Sequence, residues 1–272
     1  MNALCQMTGV SRAGFYRWRM PRQATPVEME IRDQMQLVAL ESPAYGYRRI
    51  TWELQRRGFQ VNHKHVLRMM REDNLLCVRR RAFVATTDSR HNLPVYPNLA
   101  RGITPTAINQ LWIADITYIR LRTEFVYLAV VLDAFSRRRV PSGRGWALGR
   151  TLQAGLAVAA LRMALMERQP APGLVHHSDR GVQYASEDYT ELLKQHQAAI
   201  SMSRKGNPYD NAACESFMKT LKYEEVYRNE YRDFHDAHAS IGEFLELVYN
   251  RKRLHSALGY VPPAEFEEGA TP

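Results

Sequence analysis

The sequence predicts an α/β protein: a mixed sheet flanked by helices, preceded by a small module of three helices. Three observations carry this expectation. Helical periodicity with recognisable stop signals fills residues 27–74. Pro94, Pro97, Gly102 and Pro105 then break all periodicity between 82 and 106. Beyond the break the order becomes strand, strand, interrupted strand, helix, strand, helix, strand, helix, which suits a sheet covered by helices.

Composition sets the outer limits. At 272 residues the chain is long enough for two domains, one with a substantial core. Lys plus Arg number 37 against 28 Asp plus Glu, and the resulting net charge of +9 draws polyanions. Nucleic acid is the leading partner; a ribosomal or membrane-surface role is the alternative that charge alone leaves open. Cys5, Cys77 and Cys214 stand far apart, which argues against a disulfide framework and fits a reducing compartment. His63-x-His65 and His235-x-x-His238 lack cysteines at zinc-finger spacing. The first residues have no basic flank followed by an apolar core, and no apolar run approaches the roughly 20 residues that span a bilayer. A cytoplasmic location is expected.

Residues 8–18 read as the turn and second helix of a helix-turn-helix, with Ser11 as N-cap. An amphipathic terminal helix without any DNA role explains residues 1–20 equally well. A module over 27–81 follows. Its first helix spans about 27–40 and is stopped by Ser42-Pro43; its second spans about 48–57 and is closed by Gly58. Asn62 caps a third helix running to Asp73, with Val66, Leu67 and Met70 facing inward. Lys64, Arg68 and Arg71 fall at i, i+4 and i+7 and form one basic stripe. Such a stripe is often only a solvated face, but Arg79-Arg80-Arg81 beside it favours a DNA-binding module. Residues 82–106 read as a linker and 107–267 as the core with a C-terminal helical extension.

In the core, residues 111–120 alternate, with Trp112, Ala114 and Ile116 on one face and Ile113, Asp115 and Thr117 on the other. A tight connection at Thr123-Glu124 leads to a second strand over 125–132, ending at Asp133. A third strand is expected after Ser136, interrupted by Pro141, Gly143 and Gly145. Leu152, Leu156, Ala159 and Met163 mark the buried face of a helix over 151–167. A short strand over 173–178 delivers Asp179. A helix over 186–196, a strand over 198–203 and a helix over about 210–225 complete the pattern.

Three carboxylates stand out. Asp is depleted in strands, so Asp115 among Trp112, Ile113 and Ile116 needs something to neutralise it. Asp179 stands at the carboxyl end of a strand, where open α/β sheets place ligands. Glu215 lies on a helix with 35 residues between it and Asp179, with Asn211 one turn before and Lys219 and Lys222 at i+4 and i+7. Gathered together, such groups repel by about 4 kcal/mol per pair at 4 Å and an effective dielectric of 20. Hard dications relieve that repulsion, and all-oxygen ligands point to Mg²⁺ or Mn²⁺, with two ions able to clamp a phosphodiester. Taken singly, each acid is as well explained by a surface salt bridge.

The surrounding motifs are Trp112-x-x-Asp115-Ile116-Thr117-Tyr118, Asp133-Ala134-Phe135-Ser136-Arg137, His177-Ser178-Asp179-Arg180-Gly181-x-Gln183-Tyr184, Gly206-Asn207-Pro208-x-Asp210-Asn211-x-x-x-Glu215-Ser216-Phe217, and Tyr249-Asn250-x-x-Arg253-x-His255-Ser256-Ala257-Leu258-Gly259-Tyr260. In this order they resemble OrfB-type insertion-sequence transposases, DDE-family relatives of retroviral integrases with an RNase H-like core. The resemblance covers nearly the whole chain. It implies Asp115, Asp179 and Glu215 as catalytic, metal-binding residues, and cleavage at element ends by water followed by attack of the freed 3′-hydroxyl. It also implies a bacterial source with nucleoid association, double-stranded DNA as partner, a homo-oligomer on DNA, and fusion by frameshifting to an upstream OrfA-type helix-turn-helix and leucine-zipper protein. One departure is expected to matter: residues 139–144 stand before Gly145-Trp146 where the family has a shorter connection, which points to a bulged or broken third strand and an inactive copy.

Expected DNA contacts are Lys64, Arg68 and Arg71 in the module and Arg180, Gln183, Tyr184, Asn211, Lys219, Lys222, Arg253 and His255 in the core. For Arg180, Gln183, Tyr184, Arg253 and His255, packing explains the residues equally well, and one of His176 and His177 is expected to be merely packed. A non-catalytic DNA-binding repressor of transposition is the main alternative function; a structure-selective nuclease on the same core is a third.

Overall fold

A computed structural model describes residues 7, 9, 11, 13–15, 25–75, 93–138, 145–204 and 212–270. The chain divides into two compact units, Met1–Arg79 and Arg80–Pro272.

In the first unit α1 (Pro26–Glu41), α2 (Tyr47–Arg56) and α3 (His63–Glu72) pack around Ile31, Met35, Val38, Ile50, Leu54, Val66, Met69 and Met70, all buried. The expected punctuation is present. Thr25 Oγ1 accepts from Glu28 N–H to cap α1, and Asn62 Oδ1 accepts from Lys64 N–H at 2.8 Å to cap α3. Gly58 follows α2 at φ +92°, a left-handed conformation in which a side chain would be strained. At the amino-terminal end, Ser11 Oγ accepts from Gly14 N–H at 3.1 Å, as an N-cap would, and residues 13–15 are helical; residues 8, 10, 12 and 16–18 of the helix-turn-helix-like stretch lie outside the described residues.

The basic stripe on α3 is not what its spacing suggested. Arg68 donates to Glu72 at 2.8 Å and to the buried Glu28 at 3.0 Å. Arg32 joins the same cluster through Glu28, Glu72 and Asp73. Arg68 therefore ties α3 to α1, and only Lys64 and Arg71 of the stripe stand exposed. Arg68→Ala is expected to cost about 1–2 kcal/mol, because it leaves Glu28 short of a partner. A lower denaturant midpoint followed by circular dichroism would register it.

The second unit is built on a five-stranded sheet in the order β3-β2-β1-β4-β5, with β1 (Leu111–Arg120), β2 (Phe125–Asp133), β3 (Trp146–Gly149), β4 (Val175–Ser178) and β5 (Ala199–Met202). β1 pairs antiparallel with β2 and β2 with β3, while β1–β4 and β4–β5 are parallel. That is the expected RNase H-like mixed sheet. Period-two alternation sends Leu111 and Ile113 to one face, against Cys214, Phe217, Leu221 and Tyr249, and Trp112 and Ala114 to the other. The second face is covered by α4 (Ala154–Arg168) and α5 (Glu187–Gln195), the first by α6 (Ala212–Leu221) and the C-terminal elements. These last are a π-helical continuation over Lys222–Val226, α7 (Phe234–Glu243), a π-helical stretch Phe244–Lys252, a short 3₁₀ turn and α8 (Pro263–Ala270).

Three expectations need correction. The buried face of α4 is Ala157, Ala160, Leu161, Ala164 and Leu165, while Leu152 and Ala159 are exposed. This helix is apolar nearly all round, so periodicity could not set its phase. The linker expected over 82–106 is, from 93 onward, part of the second unit. Met202 N–H donates to the Pro97 carbonyl, and Ser201 Oγ accepts from Leu99 and Ala100 N–H at 2.9 and 3.2 Å. Its first part, 82–92, lies outside the described residues. The third concerns the interrupted strand. β3 pairs with β2 through Val130↔Trp146, and Val131 N–H still reaches the Gly145 carbonyl. Continuing that register would set Asp133 opposite residue 143, yet Asp133 N–H bonds to the Arg138 carbonyl, five residues earlier. The strand is short: its ladder begins only at Trp146, and before residues 139–144, themselves outside the described set, a single bond closes Asp133 on Arg138.

Candidate active site

Asp115 and Asp179 are brought together by strand register. β1 and β4 are parallel with Ile113 opposite His177, so two residues further on Asp115 and Asp179 occupy matching positions. Neighbouring strands lie about 4.8 Å apart, and residues in register share a face. That face is the one on which α6 lies: Cys214 Sγ–H points at the Ile113 carbonyl, at 3.5 Å. Glu215, the next residue, sits on the exposed side of the first turn of α6.

The electrostatics follow from this arrangement. Asp115 is largely enclosed, and its carboxyl is pushed up to about 7, first by burial, then by the Asp179 charge and more weakly by Glu215. Ile116 N–H, donating to Asp115 Oδ1 at 2.9 Å, and Lys222 oppose the shift. Asp179 Oδ1 accepts from Gly181 N–H at 2.9 Å, closing a tight turn. Behind the pair the hydroxyl of buried Tyr184 has no hydrogen-bond partner among the described residues, although the charges of Asp115 and Asp179 both reach it.

A dication suits this donor set. An all-oxygen carboxylate pair carrying mutual repulsion has the chemistry that Mg²⁺ or Mn²⁺ satisfies. Among the described residues, however, no three His, Cys, Asp or Glu side chains stand close enough to hold an ion jointly. Two of the three expected ligands are assembled, and Glu215 is at the rim.

Comparison with known proteins decides the family. Two family models, each described as an integrase core domain, match residues 105–208 and 196–263, and one described as an HTH-like domain matches 26–83. An insertion element IS600 protein of 31 kDa from Shigella sonnei is 40% identical over 269 residues, 97% of each chain. Transposase InsF for insertion sequence IS3A, from Escherichia coli strain K12, is 36% identical over 273 residues, 98% of this chain and 93% of its own. The chain belongs to the OrfB-type insertion-sequence transposases. Among solved structures, a simian T-cell lymphotropic virus intasome chain is similar at TM-score 0.49 and 15% identity, covering 86% of this chain and 74% of its own. The magnesium-bound HTLV-2 integrase core follows at TM-score 0.46 and 13% identity, covering 60% and 99%. The fold assignment rests on the strand order and the family models.

Several residues expected to touch DNA have other work in this transposase. Tyr184 is buried in the core, its ring 5.3 Å from that of Tyr189. Gln183 is buried and donates to the Leu152 carbonyl at 3.2 Å, pinning the turn to the start of α4. Arg253 is buried in a two-pronged pair with Glu224, at 2.7 and 2.8 Å, and His255 packs edge-on to Tyr249. Arg180 is half-buried and donates through Nε to the Ser203 carbonyl at 2.8 Å. Lys219 is exposed. Lys222 is half-buried over the Tyr118 ring at 4.7 Å, close enough to Asp115 to feel its charge, and burial lowers its pKa. Asn211 lies outside the described residues. Both histidines before Asp179 are packed: His176 bonds Tyr189, and burial drives its pKa down to about 3.

His177 has a more specific place. Ser201 Oγ already accepts two backbone N–H groups, so its own proton goes to His177 Nδ1 at 2.8 Å, leaving Nε2–H to donate to Ser203 Oγ at 3.0 Å. The residues beneath Asp179 are thereby fixed in one arrangement. Two further groups escaped the sequence reading. Asp133 accepts from Asn109, Phe135 and Ser136 N–H, and Glu267 of α8 is held by Arg138, Arg168 and Ser136. Asp133 carried a readable signal, an acid at a strand end like Asp179; Glu267 carried none.

Gly181 is hemmed in. A Cβ there would meet Gln183 Oε1 at 2.9 Å and Asp179 Oδ1 at 3.0 Å. Gly181→Ala is expected to displace the Asp179 carboxylate and weaken Mn²⁺ binding roughly tenfold, about 1.4 kcal/mol, with little change in DNA affinity. Isothermal titration with Mn²⁺ would check it.

Proposed function

We propose that this protein catalyses metal-dependent strand cleavage and strand transfer at the ends of an insertion sequence. The observation that carries the proposal is the register that sets Asp115 beside Asp179 on the face where α6 presents Glu215. Asp115 and Asp179 would hold Mg²⁺ or Mn²⁺, with Glu215 completing the set from the rim. When bound, the divalent ions, two in the full arrangement, polarise the scissile phosphodiester and lower the pKa of the attacking water or 3′-hydroxyl. The chain's own part is positional. Ile116 N–H and Gly181 N–H orient the two carboxylates. Lys222, anchored on Tyr118, places a positive charge at the site's edge for the backbone phosphates.

The first unit would bind duplex DNA, and a homo-oligomer would bring two ends together. Fusion to an OrfA-type partner and association with the nucleoid belong to the same reading. The domain division within it is a module over 27–81 and a core over 107–267. No helix among the described residues is long and apolar enough to cross a membrane.

The absence of a ready three-carboxylate group among the described residues favours one rival, a DNA-binding repressor without catalysis. Incubating the purified protein with Mg²⁺ and candidate end duplexes separates them: nicked and joined products support the enzyme, and binding without products supports the repressor.

A further inference from the structure

We infer that the second unit holds unpaired bases of a DNA strand on an aromatic platform beside the ion seat, formed by Phe125, Tyr118 and Tyr227 around the Lys222 ammonium. This deepens the reading of the second unit as a strand-cleaving and strand-joining centre and rests on it. Tyr118 follows Asp115 by three residues on β1, so the platform begins about 10 Å along the strand from the seat. Stacked nucleotides rise about 3.4 Å each along one strand, which puts the platform about three nucleotides from a phosphate held at the seat. Lys222 joins the two places: its Nζ lies 4.7 Å from the centre of the Tyr118 ring, and its charge reaches Asp115.

The rings are contiguous. Phe125 meets Tyr118 edge-on, with ring centres 5.9 Å apart. On the other side, Tyr227 N–H donates to the Lys222 carbonyl at 2.8 Å, and the Tyr227 ring packs edge-on to Tyr223 at 5.6 Å. The Tyr227 hydroxyl is also near enough to those of Tyr118 and Tyr223 for its ionisation to feel both. Tyr227 is 50% exposed and Phe125 51%, and among the described residues of the second unit these are the aromatic side chains left so open. A single exposed ring is ordinary, but two flanking one cation beside a phosphodiester site form a pattern. It suits a ligand that alternates flat apolar faces with phosphates. An intact duplex hides those faces in its stack, so the ligand is a strand whose bases have left it. The acids of the hairpin turn and of Lys222–Val226 are engaged elsewhere. Glu224 takes Arg253 at 2.7 Å, Glu225 accepts from Tyr231 and Ser240 at 3.0 and 2.6 Å, and Glu124 takes Arg150 at 3.0 Å. Arg120, opposite Phe125 in the β1–β2 ladder, and Lys219 are exposed and add positive charge.

The test uses the full chain with Mg²⁺ and two mixed-sequence duplexes of about 30 bp, one blunt and one with about three unpaired nucleotides on each strand at one end, at about 150 mM salt. Fluorescence anisotropy should show the forked duplex bound about tenfold more tightly than the blunt one. Phe125→Leu/Tyr227→Leu keeps apolar bulk but removes the ring faces; it should lose that preference and bind the blunt duplex within about twofold of the unsubstituted protein. Phe125→Tyr/Tyr227→Phe keeps both rings and should keep the preference. A 2-aminopurine base in the unpaired stretch should be quenched by the unsubstituted protein and not by the leucine pair. Circular dichroism shows that the variants fold, and Tyr227→Leu alone gives the same comparison should the pair fail to. Equal affinity of the unsubstituted protein for the two duplexes, retention of the preference by the leucine variant, or equal loss on both duplexes would overturn the platform. A forked-end preference in a protein that cuts no candidate element end supports the platform while the catalytic reading fails; cutting without the preference sinks the platform alone.

Discussion

Asp179→Asn is expected to remove cleavage and joining of element-end DNA, by roughly 10³-fold or more, while leaving duplex affinity within about twofold. Asn keeps the oxygen that accepts from Gly181 N–H, so the turn after β4 should persist. What it loses is the charge that, with Asp115, makes a seat for a dication. Loss is confined to chemistry because the basic groups proposed to hold DNA in the first unit are unaffected. Gel assays of end cleavage beside anisotropy on the same duplex give both readings. Undiminished cleavage by the variant would remove Asp179 from the catalytic set; loss of binding in parallel would mean that the substitution had disturbed more than the ion seat.

The second large effect is on pH dependence. The Asp115 carboxyl has a folded-state pKa of about 7 against an ordinary 3.8, so the folded protein holds that proton more tightly than the unfolded chain does. Its contribution is neutral to stability below pH 3.8; stability is lost progressively as pH rises from 3.8 to 7, and the full loss is present above that. The difference is worth roughly 4 kcal/mol at most, and the partly open surroundings of the side chain reduce it to about 2 kcal/mol. Asp115→Asn should therefore raise the Tm of the second unit by about 5 °C at pH 8 in the presence of a chelator, with the gain disappearing as pH falls toward 4. Catalysis should be lost in the same variant. For the wild-type protein, Mn²⁺ affinity should strengthen from pH 6 to 8, because an ion competes with the proton on Asp115. Scanning calorimetry and ion titration across pH are sufficient; a Tm gain independent of pH would assign the effect to packing.

These two carboxylates show what a sequence can and cannot convey. They stood out in the sequence because an acid in an apolar strand, or at a strand's carboxyl end, conflicts with local preference. The bounds of β1 and the caps at Asn62 and Gly58 were legible for the opposite reason, since there every local signal agrees. Partner choice was not legible. An arginine advertises a positive charge but not its counterpart: Arg68 takes Glu28, forty residues earlier, and Arg253 takes Glu224, twenty-nine earlier. Both read as DNA contacts only while those distant acids are ignored. For Tyr184 and Gln183 packing and DNA contact read equally well in the sequence, and the turn after Asp179 packs both inward. The phase of α4 was undetermined because its composition offers nearly equal apolar faces.

The place of residues 139–144, between the Asp133–Arg138 bond and the pairing of β2 with β3, has a practical corollary. The described residues that flank this segment lie at the β2–β3 edge of the sheet, with β3 two strands from β1 and three from β4. A short epitope or a labelling cysteine grafted between Arg138 and Gly145 would travel with the second unit yet replace none of the paired positions of β2 and β3, giving a handle for testing whether protomers assemble on DNA.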